Sequence, residues 1–325
     1  MTSIDALQKI VIADLDKVEK QLTASISSEI AILGDICNYV VHSGGKRLRP
    51  LILLLTARFC EYKGDRHIPL ACVLEYIHTA TLLHDDVVDH AEMRRGSSSV
   101  NMLWGNQATV LAGDFFFSKA FSMAVESDNL RILDVIAKAS HCMAEAEIFQ
   151  VSKEGDPLTS EEDYFFIVQN KTASLISASS RIGGILGGVT QREEKALEDY
   201  GFNLGISYQI MDDVLDYSSS ETVFGKTIGK DLQEGRITLP FIAALNRSTP
   251  EDRQSMIQTI QKKARGKEDL GLISGLIEKY KGNEYAVNKA NFYAQQAVDT
   301  LKVFGNNAKN NSLVELAGYV VERNF

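Results

Sequence analysis

Proline is scarce in this sequence: five in 325 residues, with none between Pro69 and Pro157. An interior proline removes a helix hydrogen bond and clashes with the preceding turn, so its rarity leaves long helices uninterrupted. Cysteine is thin as well. Cys37, Cys60, Cys72 and Cys142 form no Cys-x-x-Cys pair and join no histidine at zinc spacing, which argues against a disulfide framework or structural zinc and for reduced core thiols. There is no excess of positive charge: 34 Lys and Arg against 43 Asp and Glu leave the chain at −9, a field that repels nucleic acid and acidic membranes. No nucleic-acid partner is expected, and an anionic ligand would have to be held locally. Long apolar runs are missing too. Leu51 to Leu55 stops at Thr56 and Arg58, far short of the ~20 residues that span a bilayer. The first residues carry Asp5, Lys9, Asp14 and Asp16 in place of the basic start and apolar stretch of an export signal, so a cytoplasmic protein with at most peripheral membrane contact is expected.

What is present is a folding composition, 45% hydrophobic and 24% charged, with apolar residues at helical spacing from Ile4, Leu7, Val11, Leu15, Val18 and Leu22 onward. Sustained period-two alternation is hard to find. The expected fold class is all-α and the expected organisation a single domain over residues 1–325. Helices are predicted over about 4–24, 28–41, 50–61, 68–92, 107–125, 129–153, 159–186, 192–217 and 236–246, with shorter ones after that. Two glycine-bearing loops interrupt them: residues 43–50, where Pro50 suits the first turn of the next helix, and Ser218 to Gly235, expected to be mobile. Gly183-Gly184 and Gly187-Gly188 lie inside a helical tract and suggest a bend or a close helix contact.

Two acidic motifs carry the strongest chemical signal. Asp85-Asp86-Val87-Val88-Asp89 and Asp212-Asp213-Val214-Leu215-Asp216 each place two carboxylates at i and i+4, one turn apart on one helix face. Like charges so spaced repel by a few tenths of a kcal/mol when exposed, and by more when buried. A lone copy reads as a solvated acidic face. Two copies, each flanked by apolar helix and followed by cations (Arg94-Arg95; Lys226, Lys230 and Arg236), fit a diphosphate clamp better. Oxygen ligands without Cys or paired His favour Mg²⁺, which takes one or two carboxylates and completes its octahedron with water and phosphate.

With these motifs stand Gly44-Gly45-Lys46-Arg47-Leu48-Arg49-Pro50, His78, Arg94-Arg95-Gly96, Gly113-Asp114, Lys171-Thr172, Phe224-Gly225-Lys226 and Gly229-Lys230-Asp231-Leu232 with Glu234-Gly235-Arg236. In content and order they resemble the trans-type isoprenyl diphosphate synthases, or polyprenyl synthetases, over nearly the whole chain. The resemblance implies an isoprenoid synthase-type helical bundle around a deep central cavity, a homodimer, and condensation of an allylic prenyl diphosphate with isopentenyl diphosphate. It implies about three Mg²⁺ ions, with Asp85, Asp89 and Asp212 as leading ligands and Asp86, Asp213 and Asp216 in support, directly or through water. It assigns Arg94, Lys171 and Lys226 to the allylic diphosphate, and Lys46, Arg49, His78 and Arg95 to that of isopentenyl diphosphate. Thr172, Gln209 and Lys171 stand near the departing pyrophosphate. Thr227, Lys230 and Arg236 depart from the family's usual proline, smaller or acidic residue, and lysine, which leaves the Arg236 contact to the allylic diphosphate the least secure. His84 and His90 are read as structural or solvent-facing.

In this family the fifth residue before the first aspartate often limits product length. Here it is Ala80, with Ile77, Leu74 and Thr81 also nonaromatic, leaving Phe116, Phe117 and Phe121 as candidates to close the tunnel further down, against the plainer reading of such aromatics as core. The stretch Tyr76 to His84 is similar to that of bacterial octaprenyl diphosphate synthases. A long product is therefore expected, octaprenyl diphosphate grown from farnesyl diphosphate for quinone side chains. The alternatives are a shorter-chain farnesyl or geranylgeranyl synthase and a noncatalytic subunit of the same fold. Replacing Ala80 with Phe is expected to shorten the product, read by chromatography of the extracted lipids; an unchanged length would remove Ala80 as the ruler.

Overall fold

The computed structural model describes residues 3–26, 28–218, 229–262, 265–308 and 312–322. The chain divides into two compact units, the first of residues 3–140 and 178–197, the second of residues 141–177 and 198 onward. The first unit holds α1 (Ile4–Ile10), α2 (Ile12–Ala24), α3 (Ala31–His42), α4 (Leu48–Phe59), α5 (His67–Val88), a hairpin of β1 (Met93–Arg94) and β2 (Ser97–Ser98), and α6 (Val100–Val125). The unit boundaries fall within α7 (Leu130–Ser152), α9 (Ser174–Gly187) and α10 (Gln191–Ser218). Wholly within the second unit are α8 (Glu161–Ile167), a π-helical turn (Val168–Ala173), α11 (Lys230–Gln233), α12 (Leu239–Arg247), α13 (Pro250–Ile260), α14 (Lys267–Lys279), α15 (Gly282–Thr300), a 3₁₀ stretch (Leu301–Ala308) and α16 (Ser312–Glu322).

Several expected helices differ in ways that have local causes. The helix predicted over 4–24 breaks at Val11 (φ −125°, ψ 23°), yet the buried stripe Leu7, Val11, Leu15, Val18 and Leu22 runs on across the break. The helix predicted over 68–92 ends at Val88. Asp89 caps it, His90 turns left-handed (φ 51°), and Ala91 N donates to Asp86 O at 2.9 Å, a Schellman closure that glycine usually provides and that His90 therefore hides. The helix predicted from 107 starts at Val100 and kinks at Gly105 (φ 79°, ψ 162°). Residues 159–186 are interrupted by the π-helical turn. Pro50 does lie in the first turn of α4. Residues 219–228 of the predicted mobile loop lie outside the described residues, and its end forms α11.

In the first unit α4 is buried all round, Leu51 to Leu55 being at most 1% exposed, as expected of a helix without a polar face. The second unit closes on Phe241, Ile242 and Ala244 of α12 against Ile206, Ile210 and Met211 of α10. Two of its buried hydroxyls find partners far along the chain: Tyr200 Oη donates to Leu313 O at 2.7 Å and Ser207 Oγ to Ala290 O at 2.9 Å. All four cysteines are free thiols; Cys37 and Cys72 are buried, whereas Cys60 and Cys142 are half-buried and so less internal than expected. Burial pushes Cys72 up to about 12 and Cys37 to about 11, so both are inert thiols. Among the described residues α6 is the one helix long and apolar enough to cross a bilayer, a feature the run-length reading passed over; here it packs along α5 with Ala112, Phe116 and Ala120 buried.

Gly183 and Gly187 of α9 mark close contacts with α4 and its C-cap, whereas Gly188 lies past the helix end at φ 67° and a Cβ there would meet nothing. A Cβ on Gly183 would lie 2.7 Å from Thr56 Cβ and 2.9 Å from Ala57 N, and one on Gly187 2.3 Å from Cys60 Cβ and 2.8 Å from Cys60 O. Gly275 of α14 faces open space. Gly187→Ala should therefore lower stability by about 1–3 kcal/mol through overpacking, while Gly275→Ala should raise it by about 0.5–1 kcal/mol. Urea unfolding of the two variants checks this; equal effects would refute the contact.

Candidate active site

The first acidic motif sits at the very end of α5. Asp85 and Asp86 occupy the last turn and Asp89 is the C-cap, the end at which the helix macrodipole is negative and carboxylates are disfavoured. The three acids are not equivalent. Asp86 is buried, and its Oδ1 accepts from Arg94 Nε at 2.8 Å; Asp85 and Asp89 are half-exposed. Arg94 stands on β1, and the hairpin that carries it turns through Arg95 (φ 51°) and Gly96 (φ 80°), the paired positive φ of a type I′ turn. Arg95 Nη1 donates to Gly44 O, and its guanidinium lies against Gly45, where a Cβ would come within 3.0 Å. The glycines of the basic loop thus make room for an arginine from the hairpin.

His78, two turns before Asp85, is half-buried on α5. Burial and the positive charges of Arg49, Arg95, Arg94 and Arg47 hold its imidazole well below the ordinary value. A neutral histidine among arginines can donate one N–H to an anion that the arginines attract. The first unit thus brings His78, Arg49 and Arg95 into one electropositive neighbourhood, with Lys46 exposed on the same loop. His84 sits over Gly113, whose missing Cβ would be 2.2 Å from His84 Nε2, and stacks with Phe117 at 6.2 Å. Ala80 and Ile77 are fully buried on α5, and Phe117 and Phe121 are half-buried on the adjoining α6. Phe116 is ordinary core, packed against Tyr76 at 5.5 Å.

The second motif lies in the last two turns of α10, about one turn further from the helix end than the first. Asp213 is buried and accepts from Tyr164 Oη at 2.6 Å and Gln209 Nε2 at 2.8 Å, while Asp212 and Asp216 are half-exposed. Gln209 in turn accepts from Thr172 Oγ1 at 2.9 Å. A chain of hydrogen bonds thus ties the motif to the π-helical turn that carries Lys171 and Thr172. Such turns mark functional sites because they swing one residue out of register. Lys171 is ion-paired with Glu147. Asp216 accepts from Lys230 N at 3.2 Å and Asp231 N at 3.1 Å, anchoring the start of α11. Burial and the charge of Asp231 push Asp213 well above the carboxylate range and Asp216 up to about 6. Arg236 pairs with Glu234 at 3.1 Å and Asp231 at 3.5 Å. Lys226 lies outside the described residues.

Among the described residues no three His, Cys, Asp or Glu side chains form a ready-made metal cage. Magnesium does not require one, being held by one or two carboxylates with water and substrate phosphate. Half-exposed, oxygen-only donors at two helix C-termini fit that ion. The middle acids Asp86 and Asp213 are buried among protein donors, which suits a supporting place behind the half-exposed outer acids. Tyr164 and Glu147 were missed from sequence. Tyr164 lies two turns before Lys171, a spacing that could have flagged it.

A family model described as polyprenyl synthetase matches residues 30–277. The octaprenyl diphosphate synthase of Haemophilus influenzae is 38% identical over 325 residues, 100% of this chain and 98% of that protein. That of Escherichia coli is 37% identical, over 99% of each. Among solved structures, a polyprenyl synthase from Caulobacter crescentus complexed with calcium and isoprenyl diphosphate superposes with a TM-score of 0.94 at 37% identity, covering 99% of this chain and 98% of the other.

Tyr164→Phe removes one of the two donors from buried Asp213 and should cost about 1–3 kcal/mol of stability. Thermal melting checks it; an unshifted melt would show that the Tyr164 bond contributes nothing.

Proposed function

This chain belongs to the polyprenyl synthetase family, and we propose that it is a trans-polyprenyl diphosphate synthase. It extends an allylic primer, farnesyl diphosphate, by successive isopentenyl diphosphates to octaprenyl diphosphate, the lipid tail of a quinone. The observation that carries this reading is the doubled motif in which outer acids stand half-exposed at a helix C-terminus while the middle acid is held by protein donors. The full-length octaprenyl diphosphate synthase relatives support the reaction class and the product. The family match takes in segments of both units, which supports one polyprenyl synthetase domain.

Asp85 and Asp89 in the first unit, and Asp212 with Asp216 in the second, would hold Mg²⁺, with Asp86 and Asp213 as anchors. When bound, the metal supplies positive charge to the leaving diphosphate and so eases ionisation of the allylic carbon–oxygen bond. The chain's own groups bind, orient and exclude. Lys46, Arg49, His78 and Arg95 receive the diphosphate of isopentenyl diphosphate, the arginines as forks and His78 as a neutral donor. Lys171 exchanges Glu147 for an allylic phosphate oxygen, and Thr172, oriented by Gln209, donates to the same group; Arg94, Lys226 and Arg236 keep the family's assignment to that diphosphate. Nonaromatic Ile77 and Ala80 on α5, in place of a bulky ring, favour a long chain, and apolar surroundings would keep water from the reacting carbons. The double bond of isopentenyl diphosphate attacks the allylic carbon, and the departing pyrophosphate takes the proton that restores an allylic product. The protein acts in the cytoplasm as a homodimer, with the exposed apolar residues Met102, Leu103, Val110 and Leu111 of α6 as the face that a second copy covers, and hands its product to a membrane through peripheral contact.

Purified protein given farnesyl diphosphate, isopentenyl diphosphate and Mg²⁺ should release pyrophosphate and accumulate a lipid of eight isoprene units, resolved by chromatography, with turnover lost on chelation. No transfer would refute the reading; transfer that stops at geranylgeranyl diphosphate would make it a shorter-chain enzyme.

A further inference from the structure

The Lys46-Arg47-Leu48-Arg49 segment presents three cations in a row, but the structure separates them. We infer that Arg47 is a positioning residue for the isopentenyl diphosphate loop, acting through Glu75 and Glu19 and never touching substrate; this rests on the proposed function above. Its guanidinium is turned inward. Nε donates to Glu19 Oε1 at 2.7 Å, Nη2 to Glu19 Oε2 at 3.2 Å and to Val41 O at 3.0 Å, and Nη1 to Glu75 Oε1 at 2.8 Å. The side chains of Arg47 and Glu75 are 9% and 4% exposed.

Those bonds reach three elements from one side chain: α2 through Glu19, the last turn of α3 through Val41, and α5 through Glu75. The backbone of Arg47 is itself the N-cap of α4, in the left-handed region at φ 47°, ψ 41°. A non-glycine residue is disfavoured there and persists only where its surroundings over-determine it. The preceding Gly44 and Gly45 are also at positive φ, so the loop has little stiffness of its own. Glu75 stands one turn before His78 on α5. The Arg47–Glu75 pair therefore sets the height of Lys46 and Arg49 against His78. A lysine at 47 would keep the charge but lose the fork that serves two carboxylates at once. Buried ion pairs are weak devices for stability, since well-packed apolar replacements are often neutral. That makes positioning separable from folding.

The experiment compares wild type with Arg47→Lys, Glu19→Gln and the double variant Arg47→Met/Glu75→Met. Initial rates are measured against each substrate in turn, with melting temperatures alongside. The double variant is expected to melt within a few degrees of wild type while its KM for isopentenyl diphosphate rises about tenfold or more, with kcat and the KM for farnesyl diphosphate little changed. Arg47→Lys should fall between it and wild type, and Glu19→Gln, which keeps the Glu75 bond, should shift least. An unchanged KM for isopentenyl diphosphate in any folded Arg47 variant, or equal rises for both substrates, would overturn the inference. Calorimetric titration with pyrophosphate in the absence of metal needs no turnover. The double variant should bind it about tenfold more weakly than wild type, with Arg47→Lys between the two, and equal binding would again overturn the role. A wild type that binds pyrophosphate but transfers no prenyl group would refute the proposed function alone.

Discussion

Carboxylates gathered at the negative end of a helix are the constraint on which the rest of this structure turns. Asp85, Asp86 and Asp89 close α5, and Asp212, Asp213 and Asp216 occupy the last two turns of α10. Each group opposes its own helix dipole and repels itself. Two different solutions share each motif. The middle acid is buried and satisfied from within, by Arg94 in one case and by Tyr164 and Gln209 in the other. The outer acids stay half-exposed, Asp216 while also accepting from the backbone N–H groups of Lys230 and Asp231.

The cations around these motifs divide in the same way. Arg94 is held by Asp86 and Lys171 by Glu147, so the groups that would meet phosphate are preset by acids of the protein. Three of the five non-glycine residues at positive φ among the described residues of the first unit, Arg47, His90 and Arg95, belong to the basic loop and the motif's surroundings, the others being Glu61 and Asp128. His90 ends the helix that bears the first motif, Arg95 forms the turn beside it, and Arg47 anchors the basic loop. Pre-organisation of this kind spares substrate binding the cost of ordering flexible cations.

Much of this was legible in the sequence. Helical periodicity located α3, α4, α7, α10 and α12 within a few residues, because an amphipathic or buried stripe is a property of spacing alone. The i, i+4 acids and the order of the glycine and basic motifs pointed to diphosphate chemistry. What stayed hidden depends on backbone conformations that residue type does not announce. The end of α5 rests on a left-handed histidine, not glycine, and the hairpin after it is only two residues per strand. The π-helical turn at Lys171 has the composition of an ordinary helix. The unequal roles of adjacent aspartates, and the inward turn of Arg47 between two loop cations, are decided by partners far along the chain: Tyr164 for Asp213, Glu75 and Glu19 for Arg47. Periodicity cannot report such pairings.

On the function proposed above, the outer acids of each motif bind divalent metal together with a prenyl diphosphate. Manganese titration followed by electron paramagnetic resonance, with a non-ionisable farnesyl thiodiphosphate present, tests it directly. Tight manganese binding should require the analogue, weaken severely in Asp85→Asn and in Asp212→Asn, and persist in Asp213→Asn. Binding that ignores the analogue, or that survives loss of Asp85 and Asp212 unchanged, would contradict it.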